Sequence, residues 1–390
     1  MTLFLNILQS LKRGALQLVH RPPLLFMMIA MPVLCAWFLL DLMKAGTIDS
    51  VPVAIVNLDN SAMSRSLDRN LSALQGIKVT THYATHEQAM KALQRGDIQG
   101  FFFIPARLQE LTLAGQKPVV SYYINYAYFS PSSAQYKGFK TVSMLANGAI
   151  AKTTLDATGL ANEQMVDATL QPILTHVHGI ANPWSNYSYY LNISFIPCLL
   201  ALFILLTTAT TIGYEFKQET SVEWLDTAGG SIIVATLGKL LPQTCIFTAT
   251  GWTLQWIMFA IYGLPLNCNP LNMIWAMAIF VPACQGFGLF IMCFLPNYRY
   301  GGTVCTLLGM LSFSFCGFSM PIESMYPWVT ALGNVMPVRH FFVISVDQAL
   351  NGIDIYYSRL QYAILLCYVL LPLPLLLRLR HNCKHPVYVP

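Results

Sequence analysis

Six stretches of about twenty mostly apolar residues constrain this chain more than any other feature. They run from Leu24 to about Met43, Tyr190 to Gly213, Ile232 to Tyr262, Leu271 to Leu295, Gly301 to Met320 and Leu360 to Leu379. A helix of roughly 20 residues spans the hydrocarbon core of a bilayer, so each stretch is long enough to cross. Only 10 % of the residues are charged, against roughly 25 % in a soluble domain. So little charge could not cover a soluble fold of 390 residues. Disordered chains have the reverse composition, rich in charge and poor in apolar residues. The chain therefore reads as an α-helical integral membrane protein with six transmembrane helices.

Charge is concentrated in one place. Ten of the 22 basic and nine of the 17 acidic residues lie between Gly46 and Tyr187, so this stretch must face water. Val51 to Val56 reads as a buried strand, and Asp59-Asn60-Ser61 caps a helix from Ala62 to Leu74. Lys78 to His82 is a second strand, His86 to Arg95 a helix, and Gly100 to Pro105 and Val119 to Tyr126 two further strands. Ser132 to about Leu174 reads as one or two long helices, with Gly148 and Gly159 as candidate break points. The fold class is thus a six-span helical protein with an inserted α/β extracytoplasmic domain between helices 1 and 2.

The chain ends set the orientation. Lys12, Arg13 and Arg21 lie at one end, and Arg378, Arg380 and Lys384 at the other. Positive charge flanking spans marks the cytoplasmic side, and an even number of spans brings both termini there. Leu3, Ile7, Leu8, Leu11 and Leu18 recur at helical spacing with Lys12 and Arg13 on the other side. They predict an amphipathic helix on the cytoplasmic interface. A cleaved signal peptide fits less well, because the following apolar run is too long and lacks a small-residue cleavage site.

The resulting map has residues 1–23 as the interfacial helix, 24–45 as the first span and 46–187 as the extracytoplasmic domain. Residues 188–380 form the other five spans, and 381–390 a cytoplasmic tail. Within 321–357, proline breaks at Met320-Pro321, Tyr326-Pro327 and Met336-Pro337 leave apolar pieces too short to span. They read as re-entrant or interfacial helices.

Catalytic signatures are missing. Gly238-Lys239 lacks the preceding glycine of a phosphate-binding loop and is followed by Leu240, not by a hydroxyl. Neither a nucleophile elbow nor a zinc-binding His-Glu-x-x-His helix occurs. The net charge of +5 collects at the termini and forms no basic stripe for nucleic acid. None of the ten cysteines lies in 46–187, and none has metal-site spacing. His176 and His178 suit a surface better than a ligand pair. These residues predict no metal site, no cofactor in this chain and no catalysis by it.

The segment between spans two and three, Gly213 to Asp226, carries Glu215, Glu219, Glu223 and Asp226 against Lys217 alone. An acidic loop is unusual on the cytoplasmic side. On one helix the three glutamates would repel at i,i+4 spacing, and a basic partner would remove that conflict. The segment 214–228 is therefore read as a docking helix with Trp224 and Leu225 as apolar anchors. Asp41 and Lys239 lie near span ends, where snorkelling accounts for them.

At this point the whole chain resembles a permease subunit of the ABC-2-type (type V) exporter family. Lys217, Glu223 and Leu225 match the basic, acidic and leucine positions of that family's coupling helix. Gln218 replaces an acid, and Thr220-Ser221 stands where Gly-Thr is usual. Val53 to Asp59, Ala92 to Gly100 and Met336 to Phe342 are also similar to family segments.

The resemblance implies a bacterial inner-membrane exporter that moves an amphipathic, drug-like or lipid-like molecule. Separate ATPase subunits carrying ATP and Mg would dock on 214–228 and on the interfacial helix. A second permease copy or homologue would complete the pathway, with Thr207, Thr208, Thr211, Gly309, Ser312 and Ser314 as candidate seam or pathway residues. A periplasmic adaptor and outer-membrane channel would extend it across an envelope with an outer membrane. The lobe is equally compatible with a non-transporting receptor or scaffold. The docking segment favours the exporter.

Overall fold

The computed structural model describes residues 2–44, 46, 50–74, 76–127, 129–157, 182 and 186–386. The expected helix beyond Ala157, its break at Gly159, and His176 and His178 lie outside them. The chain divides into two compact units, Met1–Lys44 with Gly179–Pro390, and Ala45–His178.

In chain order, helices α1 (Thr2–Val19) and α2 (Pro22–Leu42) come first. The second unit follows with β1 (Val51–Asn57), α3 (Ala62–Ser72), β2 (Ile77–His82), α4 (His86–Arg95) and β3 (Gly100–Ile104). It continues through α5 (Leu108–Leu113), β4 (Ser121–Ile124) and α6 (Phe129–Ala157). The first unit resumes with α7 (Tyr187–Lys217), α8 (Ser221–Thr227), α9 (Ile232–Ile261) and α10 (Pro270–Phe294). It ends with α11 (Tyr298–Phe315), α12 (Pro327–Asn334), α13 (Pro337–Leu350) and α14 (Arg359–Lys384).

Among the described residues, α2, α7, α9, α10 and α14 are long and apolar enough to cross a membrane. The pair α12–α13, bent by 84°, would make a sixth span if counted as one. The expected fifth span, Gly301 to Met320, departs from this pattern. Its helix α11 has 18 residues, about 27 Å of rise, and opens on Tyr298-Arg299-Tyr300-Gly301-Gly302. It stops at Phe315, and the chain then turns through Gly317 at φ 90°. Polar and glycine residues lower its hydropathy below that of the other spans. It packs along α7 nonetheless.

Helix α7 is the centre of the bundle and packs against α2, α10 and α11. Helix α1 lies along α9. Two glycines permit that crossing. A Cβ on Gly14 would meet the Gly238 carbonyl oxygen, and one on Gly238 would meet the Ser10 hydroxyl. Ser10 Oγ donates to the Val234 carbonyl at 3.2 Å. The buried face of α1 is thus Ser10, Gly14 and Leu18, while Ile7 and Leu8 of the expected apolar face stay exposed.

The bend between α12 and α13 ends α12 at Asn334, so the last carbonyls there have no N–H donors from a continuing helix. His340 Nε2 donates to the Asn334 carbonyl at 3.0 Å, and Tyr368 of α14 donates to the Val335 carbonyl at 2.7 Å. Broken backbone at membrane depth is tolerated when protein satisfies it in this way.

In the second unit the strands are ordered β2-β1-β3-β4. Strand β1 is parallel to β2 and β3, and β4 is antiparallel to β3. The near-continuous apolar run of β1 is buried on both faces. Val51, Val53 and Ile55 join Leu67, Leu71 and Phe102 on one side, and Ala54 and Val56 join Ala89 and Phe101 on the other. Ser61 caps α3 by accepting from Ser64 N, and Gly96 at φ 83° ends α4.

The glycine crossing yields a prediction. Gly238→Val overpacks the α1–α9 contact, a change that costs about 1–3 kcal/mol. Trypsin cleavage at Lys12 and Arg13 in the purified protein is expected to accelerate clearly, and unchanged protection would show that α1 does not depend on the close approach.

Candidate functional site

The last turn of α7 and the second turn of α9 bring opposite charges together inside the bundle. Glu215 and Lys239 are each under 5 % exposed. The Lys239 ammonium donates to Glu215 Oε1 and, at 3.1 Å, to the Thr211 carbonyl. It also lies 4.7 Å from the centre of the Trp224 ring. The carboxylate is saturated from other directions. It accepts from Gln17 Nε2 at 2.9 Å, Arg13 Nη2 at 3.2 Å and Thr220 Oγ1 at 2.6 Å. Gln243, one turn beyond Lys239, donates to Thr211 Oγ1 and to the Lys239 carbonyl.

Two sequence expectations are corrected here. Lys239 does not snorkel, and Glu215 is not free to meet a partner. Covering helix α1 seals both groups from solvent, so each satisfies the other. Sequence reading missed Gln17 and Gln243. Their only signal was i,i+4 spacing from Arg13 and from Lys239, which places them on shared helix faces.

The segment 214–228 is also not one helix. Tyr214 to Lys217 finish α7, the chain breaks at Gln218–Thr220 with Glu219 at φ 58°, and α8 is only seven residues long. The glutamates therefore do not share one face. Trp224 and Leu225, expected as outward anchors, are 2 % exposed. Trp224 Nε1 donates to the Ala235 carbonyl at 3.2 Å, and Ser221 Oγ donates to the Cys383 carbonyl at 3.0 Å. These bonds clamp α8 onto α9 and α14, and leave Glu219, Val222, Glu223 and Asp226 outward.

Between α1 and α8 lies an open cleft of about 520 Å³. Lys12, Arg13, His20 and Arg21 line one wall, and Thr220 and Glu223 the other. Arg21 reaches across, donating to Gln218 Oε1 at 2.6 Å and lying 4.2 Å from the Tyr214 ring centre. Lys217 is exposed, with its ammonium 5.0 Å from the Tyr298 ring centre. Among the described residues, no three His, Cys, Asp or Glu side chains are grouped to hold a metal ion.

A family model described as ABC-2 family transporter protein matches residues 22–378. The chain belongs to the ABC-2 transporter family. It is also similar to the probable multidrug ABC transporter permease YbhR of Escherichia coli, in strain K12 and in O157:H7, at 23 % identity over 166 residues. That match covers 42 % of this chain and 44 % of the relative, so the chain spans less than half the length of these curated relatives. Membership and its long apolar helices make this ABC-2 protein a multi-pass membrane protein.

Within the ABC-2 bundle, most of the candidate seam residues are used internally. Thr207 Oγ1 donates to the Phe203 carbonyl, Thr211 Oγ1 to the Thr207 carbonyl and Ser312 Oγ to the Leu308 carbonyl. Thr208 is buried beside Gly288, and Gly309 lies against Leu202. Only Ser314 of the six is exposed. Helical packing inside one chain takes the hydroxyl and small-residue faces first. One surface left open among the described residues is a cleft of about 640 Å³, with Leu206, Thr210, Arg299, Gly302, Thr306 and Met310 in its walls.

The charge pair yields the second prediction. Glu215→Gln alone leaves the buried Lys239 ammonium without a counter-charge, since Arg13 pairs with Glu215 and not with Lys239, and is expected to cost about 3–5 kcal/mol, whereas replacing both partners is close to neutral. Thermal melts in lipid nanodiscs should therefore show Glu215→Gln well below wild type and Glu215→Gln/Lys239→Met largely restored. Additive losses in the double variant would mean that the pair is not coupled.

Proposed function

We propose that this ABC-2 protein is the permease of an exporter driven by a separate ATPase subunit, which carries the ATP and Mg. The observation that carries this reading is the mounting of α8. Its apolar side is locked into the bundle through Trp224 and Leu225, and Glu215 ties its base to Lys239 and Arg13. Its acidic side faces outward beside the basic wall of α1. A docked ATPase that moved would push on α8 and α1 together, and the buried pair would pass the motion to α7 and α9. Lys217, Glu219 and Glu223 would make the docking contacts, with Lys12 and Arg21 beside them.

Basic residues at both ends support cytoplasmic termini and an extracytoplasmic second unit. The open α7–α11 cleft supports pairing with a second permease copy or homologue there. The name of the YbhR relatives supports an amphipathic, drug-like substrate moved outward. In a cell with an outer membrane, the second unit would engage a periplasmic adaptor and its channel.

Two measurements test this reading. Glu223→Lys changes an exposed side chain, so the fold stays intact. Co-purification of the ATPase is expected to fall at least about fivefold, the effect of roughly 1 kcal/mol, and an undiminished yield would remove Glu223 from the contact. Ser72→Cys, exposed in α3, should react with an impermeant thiol reagent in intact spheroplasts. Protection until lysis would reverse the orientation.

A further inference from the structure

We propose that the second unit carries a binding site for a small amphipathic anion, in the cleft bordered by α5, the approach to β4 and α6. The cleft holds about 570 Å³, within the range of about 300–1,000 Å³ usual for small-molecule sites. Its floor is the core itself. Leu67 of α3, Phe102 of β3 and Leu108 of α5 border the cleft and are at most 5 % exposed. The sheet and two helices hold these side chains, so the floor cannot collapse without disturbing close-packed neighbours. Val120 and Ala146 extend the apolar wall.

The rim has different chemistry. Gln116, Lys117 and Asn147 present two amides and an ammonium, and among the described residues Lys117 is the one charged residue lining the cleft. The remaining hydroxyls are committed elsewhere. Thr112 Oγ1 donates to the Leu108 carbonyl at 2.7 Å, and Ser143 Oγ donates to the Phe139 carbonyl at 2.9 Å. An apolar floor below a single cation with amide donors fits a medium-chain or aromatic carboxylate. The body buries apolar surface, and the head meets Lys117 and the amides in charge-assisted hydrogen bonds. A cation would be repelled at the rim, and a plain hydrocarbon would gain nothing there.

The site needs no ATPase and no transport, so its test stands apart from the exporter reading. The full chain in nanodiscs is titrated with 11-(dansylamino)undecanoic acid and with its methyl ester, against empty nanodiscs. Saturable, blue-shifted emission is expected above the empty-disc signal, and decanoate should displace it. Ala146→Trp should abolish this signal by filling the cleft. Lys117→Glu, on an exposed side chain, should weaken the acid at least tenfold and leave the ester unchanged. No saturable signal in the wild type, or wild-type affinity for the acid in the Lys117→Glu protein, would overturn the proposal. An ester that binds as tightly as the acid would overturn the anion assignment.

Discussion

A carboxylate and an ammonium inside a helical bundle are stable only as partners. Removing one charge from water costs several kcal/mol even after relaxation, and charges within spanning helices are rare for that reason. Glu215 and Lys239 meet this constraint by facing each other, with Arg13, Gln17 and Thr220 completing the carboxylate's hydrogen bonds. Much of the surrounding structure depends on the arrangement. Helix α1 must lie close to α9 to bring Arg13 and Gln17 within reach, and Gly14 and Gly238 are the residues that permit the distance. Helix α7 must run as far as Lys217 to place Glu215 inside.

The same rule of satisfied polar groups governs the proline bend near the end of the chain. The end of α12 leaves the Asn334 and Val335 carbonyls without helical donors, and His340 and Tyr368 take them up. Both places join broken or buried polar structure to rigid neighbours, and neither leaves much freedom to flex locally. Force applied at α8 would therefore travel as movement of whole helices, because a small shift would otherwise break the buried pair. The clamp through Trp224 and Ser221 acts in the same direction.

Legibility differed between elements for physical reasons. Spans such as α2 and α10 were readable because a long apolar run has one stable solution in a bilayer. Strand β1 was readable because burial on both faces requires an unbroken run of small and β-branched residues, Val51 to Val56. Helix α8 was readable only as an acidic amphipathic segment. Its Trp224 suits an outer anchor and an inner clamp equally well by spacing, and the direction in which it points depends on where α9 lies. The threonines of α7 were ambiguous in the same way, since hydroxyls bonding their own helix look identical in sequence to hydroxyls lining a path.

What the amino-acid sequence determined by itself is the membrane-spanning character, the concentration of charge between Gly46 and Tyr187, the acid of the 214–228 segment and the family resemblance. All of these rest on local composition or period, which neighbours in the chain set. What only the tertiary structure decided is which charges are partners. Lys239 lies 24 residues from Glu215 and Arg13 lies 202 residues from it, and no local pattern records that they converge. Whether a polar side chain in a span snorkels, lines a path or locks two helices together is set by what packs over it. For Glu215 and Lys239 that cover is α1, held in place by the absence of two side chains at Gly14 and Gly238.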